Sequence, residues 1–375
     1  MGNQASKVIE KSKERKERRI NSNPKSNRRR STITLGGRSH SSLIMAASKS
    51  IQANYDWIDE KQDPTLIHTP PPLPNSTKSR RQSITEFFSG RKKSLAQEDF
   101  REIDRLQRLH YLLKSARKSN TWCEIEGPMT IVDVGTGNGI WALEMASEQL
   151  NCKVIGLDLR PPSEQQGKPK NLNYHEADIT EIWPLESNSV DFIFQRNMGQ
   201  SIQKDQWSHV LSEMLRVLKP GGTIELVEAD LIHHNPGPVQ RAFDEFYQNQ
   251  CAENGLDFAF TGIINKELEA IGFSELDHRT LDIPIGEWPQ DSGTYQAVIH
   301  ATFLSDNDFL ELKQFGFINK EIQKAFLRNR KSFYVSKWGI TPEDYELAVQ
   351  EVLTEFEDYH GFSRFNCWIA KKPTL

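Results

Sequence analysis

The stretch IVDVGTGNGIWALEMA, residues 131–146, constrains the fold of this chain more than any other. Ile131, Val132 and Val134 make an apolar run, and Gly135, Gly137 and Gly139 follow at alternate positions. Ile140, Leu143 and Met145 or Ala146 then recur at helical spacing. A strand, a glycine turn and a helix in that order open a doubly wound α/β sheet. The dinucleotide fingerprint wants its third glycine three residues after the second, and Ile140 stands there instead. The turn therefore indicates a nucleotide-like ligand without choosing it.

The rest of the folded part continues the alternation. A helix is expected over QEDFREIDRLQRLHYLLKSARK (97–118), with Phe100, Ile103, Leu106, Leu109 and Leu113 as its apolar side. Strands are expected at TIVDVG (130–135), KVIGLDL (153–159), NLNYHEAD (171–178), SVDFIFQRN (189–197) and TIELVEAD (223–230). The helix KDQWSHVLSEMLRVL and a turn at KPGG precede the fifth of these. PVQRAFDEFYQNQ reads as an amphipathic helix, SELDHRTLDIPIGEW as a sixth strand and SRFNCWIAKK as a last edge strand. Residues 290–360 read as helical, one helix being capped by Thr341 with Pro342 in its first turn and ending near Gly361. The pattern is that of a mostly parallel sheet with helices on both faces.

Ligands of such sheets lie beyond the carboxyl ends of the strands. Polar residues stand at five successive ends: Asp133, Asp158, Asp178, Gln195 to Asn197, and Glu228 with Asp230. Asp158 falls about twenty residues past the turn, where a carboxylate grips ribose hydroxyls. That feature serves NAD and S-adenosyl-L-methionine equally. The turn carries no basic side chain for a pyrophosphate, and the GxxxxGK[ST] loop of an ATPase is missing. Asp133 suits an ammonium, directly or through water, and the glycines allow a ligand close to the main chain. Asp178 and Ile179 are placed for an adenine amino group and ring.

The segments VDVGTGNGIWALEMA, VIGLDLRPP, EADITEIWPL, VDFIFQRNMGQSI, Trp207 and LRVLKPGGTIELVE resemble, in order, the motifs of class I S-adenosylmethionine-dependent methyltransferases. They look most like the fungal group that includes regulators of secondary metabolism. The resemblance covers roughly residues 98–235, with a weaker echo to the C-terminus. It implies an α/β, Rossmann-like, doubly wound seven-stranded sheet with helical insertions. It also implies a cofactor-binding core over 120–235 and an acceptor and lid region over 236–375. By the same resemblance Asp133, Gly135, Thr136, Gly137, Asn138 and Gly139 surround the methionine end. Asp158 holds the ribose, Asp178 and Ile179 the adenine, Gln195 and Arg196 form the floor, and Leu159 is a further cofactor-binding residue. Members of the group commonly carry a tyrosine segment before the first helix; RKKSLAQED has no tyrosine there, and Tyr55 is a candidate substitute.

The implied activity is methyl transfer to a small molecule or protein. A cofactor-binding scaffold that works through a regulatory partner is the alternative, and a NAD-dependent oxidoreductase the third reading. Spacing selects no catalytic base; His110, Arg196, His209 and His233 are the residues to test. Phe243, Phe246, Tyr247, Trp288 and Phe303 are candidates to line the acceptor site, with core packing as the plainer fate of most. His233 and His234 are adjacent and lack further ligands, so no metal site is expected.

Charge divides the chain. Residues 1–95 hold 20 Lys and Arg against 8 Asp and Glu, whereas residues 96–375 hold 27 against 43. The first part, rich in Ser, Asn, Pro and Arg, lacks the apolar surface to offset chain entropy and is expected to be a disordered arm over residues 1–97. Gly2 followed by Ser6 fits N-myristoylation. Lys7 to Arg19 supplies the basic cluster that a single acyl chain needs to hold an anionic membrane. Ser31, Ser83 and Ser94 follow basic residues and are candidate phosphorylation sites. HTPPPLPNS reads as a polyproline spacer. These features indicate a cytoplasmic protein, peripheral at membranes through Gly2, with the nucleus as the competing address. The acidic folded part argues against a specific nucleic-acid partner. Four scattered cysteines indicate buried thiols in a reducing compartment.

Overall fold

The computed structural model describes residues 95–162, 168–289 and 306–374. The arm with Gly2, Ser31, Tyr55, Ser83 and Ser94 lies outside the described residues, as does Phe303. The described residues form seven strands: β1 (Thr130–Val134), β2 (Lys153–Asp158), β3 (Leu172–Glu176), β4 (Val190–Arg196), β5 (Leu218–Ala229), β6 (Ser274–Pro284) and β7 (Phe362–Lys371). Eight helices accompany them: α1 (Leu95–Arg117), α2 (Ile140–Glu148), α3 (Trp207–Val217), α4 (Pro238–Glu253), α5 (Ile264–Ile271), α6 (Asp306–Asn329), α7 (Lys331–Trp338) and α8 (Pro342–Asp358).

One sheet takes all seven strands in the order β3-β2-β1-β4-β5-β7-β6. The first five are parallel, and β7 runs antiparallel to both β5 and β6. The chain leaves β1 toward β2 and β3 on one side, then returns to β4 on the other. The carboxyl end of β1 is therefore the switch point, where a crevice opens. Helices cover both faces, so the central strands are buried on both sides along most of their length rather than at alternate positions. On one face Val132, Ile193 and Leu226 pack beneath Val210, Val239 and Val349 of the helices. On the other, Trp141 of α2 stacks on Phe194 with centroids 4.0 Å apart.

Three details differ from the sequence reading. KPGG does not precede β5 but lies inside it: Leu218 pairs with Val190 and Thr223 with Phe192, leaving Lys219 to Gly222 as an excursion. Gly221 permits it with φ of 80°, and Lys219 Nζ donates to Asp191, 2.8 Å from each oxygen. β7 is interior, and β6 is the edge. The edge is guarded by exposed Asp277, His278 and Arg279, polar groups that discourage further pairing. In α1, Leu109 and Leu113 are buried but Phe100 is 70% and Ile103 40% exposed, because only the later turns lie over the sheet. Phe243, Phe246, Tyr247 and Trp288 are buried, the core packing that is the plainer expectation for most of them. Phe243 and Phe246 meet Trp338 edge-on at 4.6 and 5.1 Å.

The capped helix forms as expected, the Thr341 hydroxyl accepting from Asp344 N at 3.1 Å. Cys152, Cys251 and Cys367 are buried free thiols, and Cys123 is half-buried. Among the described residues no helix is long and apolar enough to cross a membrane.

Candidate functional site

Register brings the strand tips level. Val134 of β1 lies opposite Leu157 of β2 and Gln195 of β4, and Gln195 opposite Leu226 of β5. From this shelf the glycine turn rises. Thr136 N donates to Leu157 O at 2.9 Å, which anchors the turn to the neighbouring strand. Gly135, Gly137 and Gly139 have φ of 68°, 57° and 74°, the left-handed region that residues with a Cβ avoid. Each glycine has its own surroundings. A Cβ at Gly135 would overlap the Met198 thioether, and one at Gly139 the Tyr174 hydroxyl. At Gly137 it would meet only Gly135 O, 3.9 Å away, so this side of the turn is open to a ligand.

Asp158 reaches the turn from the end of β2. Its Oδ2 accepts from Gly137 N and its Oδ1 from Arg160 N, both at 2.9 Å. Each oxygen has a second lone pair free, enough for one of the two hydroxyls of a ribose. Leu159, next along, is 51% exposed and offers an apolar surface beside that carboxylate. Asp178 accepts from Thr180 N and Thr180 Oγ1, at 2.9 and 2.6 Å, so it shapes its own loop. Ile179 is 7% exposed and packed into the core. Asn138 Oδ1 accepts from Ile140 N at 3.2 Å at the start of α2.

Asp133 sits beneath the turn rather than at its rim. It is buried, and its Oδ2 accepts from Thr136 Oγ1 at 2.6 Å. Burial pushes its carboxyl up to about 6; the Thr136 hydroxyl and the Arg196 charge oppose this, and Asp158 adds to it. Arg196, at the end of β4, is brought down to about 10 by burial, with Asp133 as the first counterweight. Its guanidinium Nη2 lies 3.1 Å from His110 Nδ1, and His110 Nε2 lies 3.0 Å from Glu144 Oε2. Because arginine only donates, Nδ1 is the acceptor and Nε2 carries the proton to Glu144. Burial, with Arg196 nearby and against the Glu144 hydrogen bond, holds His110 below the usual imidazole range. Lys114 Nζ closes the chain on Glu144 at 2.7 Å, tying α1 and α2 to Arg196 at the end of β4.

Gln195 and Glu228 lie together on the opposite face. Glu228 accepts from Met198 N at 2.9 Å and Gly199 N at 3.0 Å, with Gln195 Nε2 at 3.4 Å. Burial raises its carboxyl to about 7 against those three donors. Gln195 Oε1 has no hydrogen-bond partner. His209 is exposed on α3. His233 and His234 bind different carboxylates, Asp244 Oδ1 and Asp230 Oδ2, each at 2.8 Å, and no cluster that could hold a metal occurs among the described residues.

The structure thus brings Asp133, the residues from Gly135 to Gly139, Asp158 and Arg196 together at the carboxyl ends of β1, β2 and β4. It sets Ile179 and Gln195 in the packed layer beneath. Sequence reasoning missed Met198, Tyr174 and Glu144. None carried a signal in its own segment, since each matters through a residue of another element.

A methyltransferase-domain family matches residues 131–222, which run from β1 into β5. The chain carries a methyltransferase domain. The chain is 28% identical over 292 residues to the methyltransferase pytC of Aspergillus terreus, covering 73% of this chain and 82% of that protein. It is 24% identical to the N-methyltransferase gliN of Aspergillus fumigatus, covering 65% and 83%. With the secondary metabolism regulator laeA of Aspergillus niger it shares 30% identity over 52% of this chain and 53% of that protein. Among solved structures it matches a Haemonchus contortus N-methyltransferase bound to S-adenosylhomocysteine at a TM-score of 0.40 and 17% identity, covering 72% and 52% of the two chains. The residues of the candidate site fit an adenosyl sulfonium cofactor better than a dinucleotide. The turn is open at Gly137, carries no basic group for a pyrophosphate, and lies against the ribose-sized acceptor pair of Asp158.

Proposed function

We propose that this chain binds S-adenosyl-L-methionine at the carboxyl ends of β1, β2 and β4 and transfers its methyl group to a nucleophilic acceptor. The observation that carries this reading is the Gly137–Asp158 contact at the switch point, within the segment that matches the methyltransferase domain. When bound, the cofactor supplies a methyl group already activated on a sulfonium. The protein's task is then to align donor and acceptor and exclude water. Asp158 takes the ribose hydroxyls and Leu159 the apolar edge of the nucleoside. The open side of Gly137 admits the methionine chain, and Asp133, buried under Thr136, acts on the ammonium through the turn. Arg196 is held by His110 below the ligand and keeps the buried Asp133 charge balanced.

Calorimetric titration with S-adenosylmethionine, its demethylated product and NAD tests this directly. Binding of the first two and not the third is expected. Uptake of NAD alone overturns the reading. The acceptor is best sought by comparing methylated species in extracts with and without the gene.

The likeness to secondary-metabolism regulators favours a second reading, in which the methyltransferase acts through a regulatory protein partner. Donor binding without turnover, together with stable capture of a partner, would select it. We also propose that Gly2 is N-acylated and that the basic residues after it attach the chain to anionic membrane. Gly2→Ala should then release the protein from membranes, and an intact mass without the lipid refutes the anchor.

A further inference from the structure

The loop after β4 is held from three sides. Asn197, in left-handed backbone with φ of 58°, donates from its N–H to Val227 O at 3.0 Å. The next two main-chain N–H groups, of Met198 and Gly199, both point at the fully buried carboxylate of Glu228, at 2.9 and 3.0 Å. From the other side the Phe260 ring lies where a Cβ of Gly199 would be, and that ring stacks on Trp207 with centroids 5.2 Å apart. Pinned in this way, the loop sends the Met198 side chain across to Gly135, against the position a Cβ would occupy. Met198 is thus the wall that faces the first glycine of the turn.

We propose that Glu228 is a positioning residue of the donor site, setting Met198 against Gly135 through the main-chain N–H groups of Met198 and Gly199. The inference rests on the reading that the methionine end of the donor lies along Gly135 to Gly139. A carboxylate suits the task because both its oxygens only accept, and two consecutive N–H groups need two acceptors. Glutamine in its place turns one acceptor into an NH₂ group that meets an N–H head-on. Burial makes that mismatch costly, since water cannot replace the lost partner. Glu228 itself never touches the ligand in this scheme; its influence passes through the direction of one thioether.

The test is a double-mutant cycle read by calorimetric binding of S-adenosylhomocysteine to the full chain. Glu228→Gln should weaken binding about tenfold in the native background. In a Met198→Ala background the same change should cost less than about twofold, because the wall it positions is gone. Equal losses in both backgrounds overturn the proposal, as does no loss in either. Should Glu228→Gln fail to fold, Met198→Ala alone decides, since it leaves every hydrogen bond of the loop in place. It must weaken binding several-fold, and unchanged affinity overturns the proposal. Failure of the donor reading looks different: the native chain then takes up neither S-adenosylmethionine nor S-adenosylhomocysteine, and both conclusions fall together.

Discussion

Arg117, in the last turn of α1, forms an ion pair with Glu225 in the middle of β5, and both side chains are buried, at 2% and 0% exposure. Glu225 also accepts from Thr121 Oγ1 at 2.5 Å, Trp122 N at 2.9 Å and Cys123 N at 3.1 Å. One carboxylate thus organises the whole passage from α1 toward β1. The Arg117 guanidinium lies over the Trp122 ring at 4.5 Å, which covers its other side. Glu225→Ala leaves the buried Arg117 cation and the buried Thr121 hydroxyl without their acceptor and takes one from the part-buried Trp122 N, while Cys123 N keeps Thr121 Oγ1 at 3.0 Å. It should destabilise the fold by about 3–5 kcal/mol, measured by denaturant unfolding. A loss of less than about 1 kcal/mol would show that the pair is dispensable.

Asp158 joins the turn to the proposed ribose position. Asp158→Ala removes two acceptors for hydroxyls and should weaken S-adenosylmethionine binding by roughly 10- to 100-fold. Calorimetry on the folded variant checks this, and unchanged affinity would remove the ribose assignment.

Gly137 separates ligand approach from stability. Its φ of 57° makes alanine unfavourable by about 1–2 kcal/mol, yet a Cβ there meets no protein side chain. Gly137→Ala should therefore fold with a modestly lowered midpoint and lose donor binding almost entirely. Retention of near-native binding would mean that the ligand does not pass along this side of the turn.

Asp133 should give the fold a specific pH dependence. Burial raises its carboxyl to about 6, above the ordinary 3.8, so the folded state favours the neutral acid. That contribution is present in full below the ordinary value and disappears as pH rises through about 6. Asparagine imitates the neutral form at every pH. The stability of Asp133→Asn relative to the native chain should rise by up to about 3 kcal/mol across this window. Unfolding midpoints of the two proteins at about pH 3.5 and about pH 7.5 give the comparison. A constant difference would mean that the native carboxyl is not shifted.

Much of the cofactor half was legible from local pattern. The turn at Gly135, Gly137 and Gly139 sits between a strand and a helix as the spacing requires, and Asp158 ends the next strand. The parallel strands read clearly because both faces are covered and their apolar runs are short and bounded by turn residues. The C-terminal half was less legible. The alternation in SRFNCWIAKK shows a strand but not its neighbours, and β7 inserts between β5 and β6. KPGG has turn composition, yet the strand resumes pairing after it, so the turn becomes a bulge. Aromatic residues of α4 look alike in sequence whether they face ligand or core. Tyr334, Trp338 and Tyr345, nearly a hundred residues on, decided for the core.

By itself the sequence determined the elements of the sheet, the glycine turn and the acidic residues at the strand tips. These follow from backbone sterics and from periodicities that act over a few neighbouring positions. Only the tertiary structure decided that Asp133 lies under the turn, that Met198 faces Gly135, and that His110 links Arg196 to Glu144. Those relationships are set where separate strands and helices converge, and their energies depend on burial and on partners remote in the chain. No short window of residues contains that information.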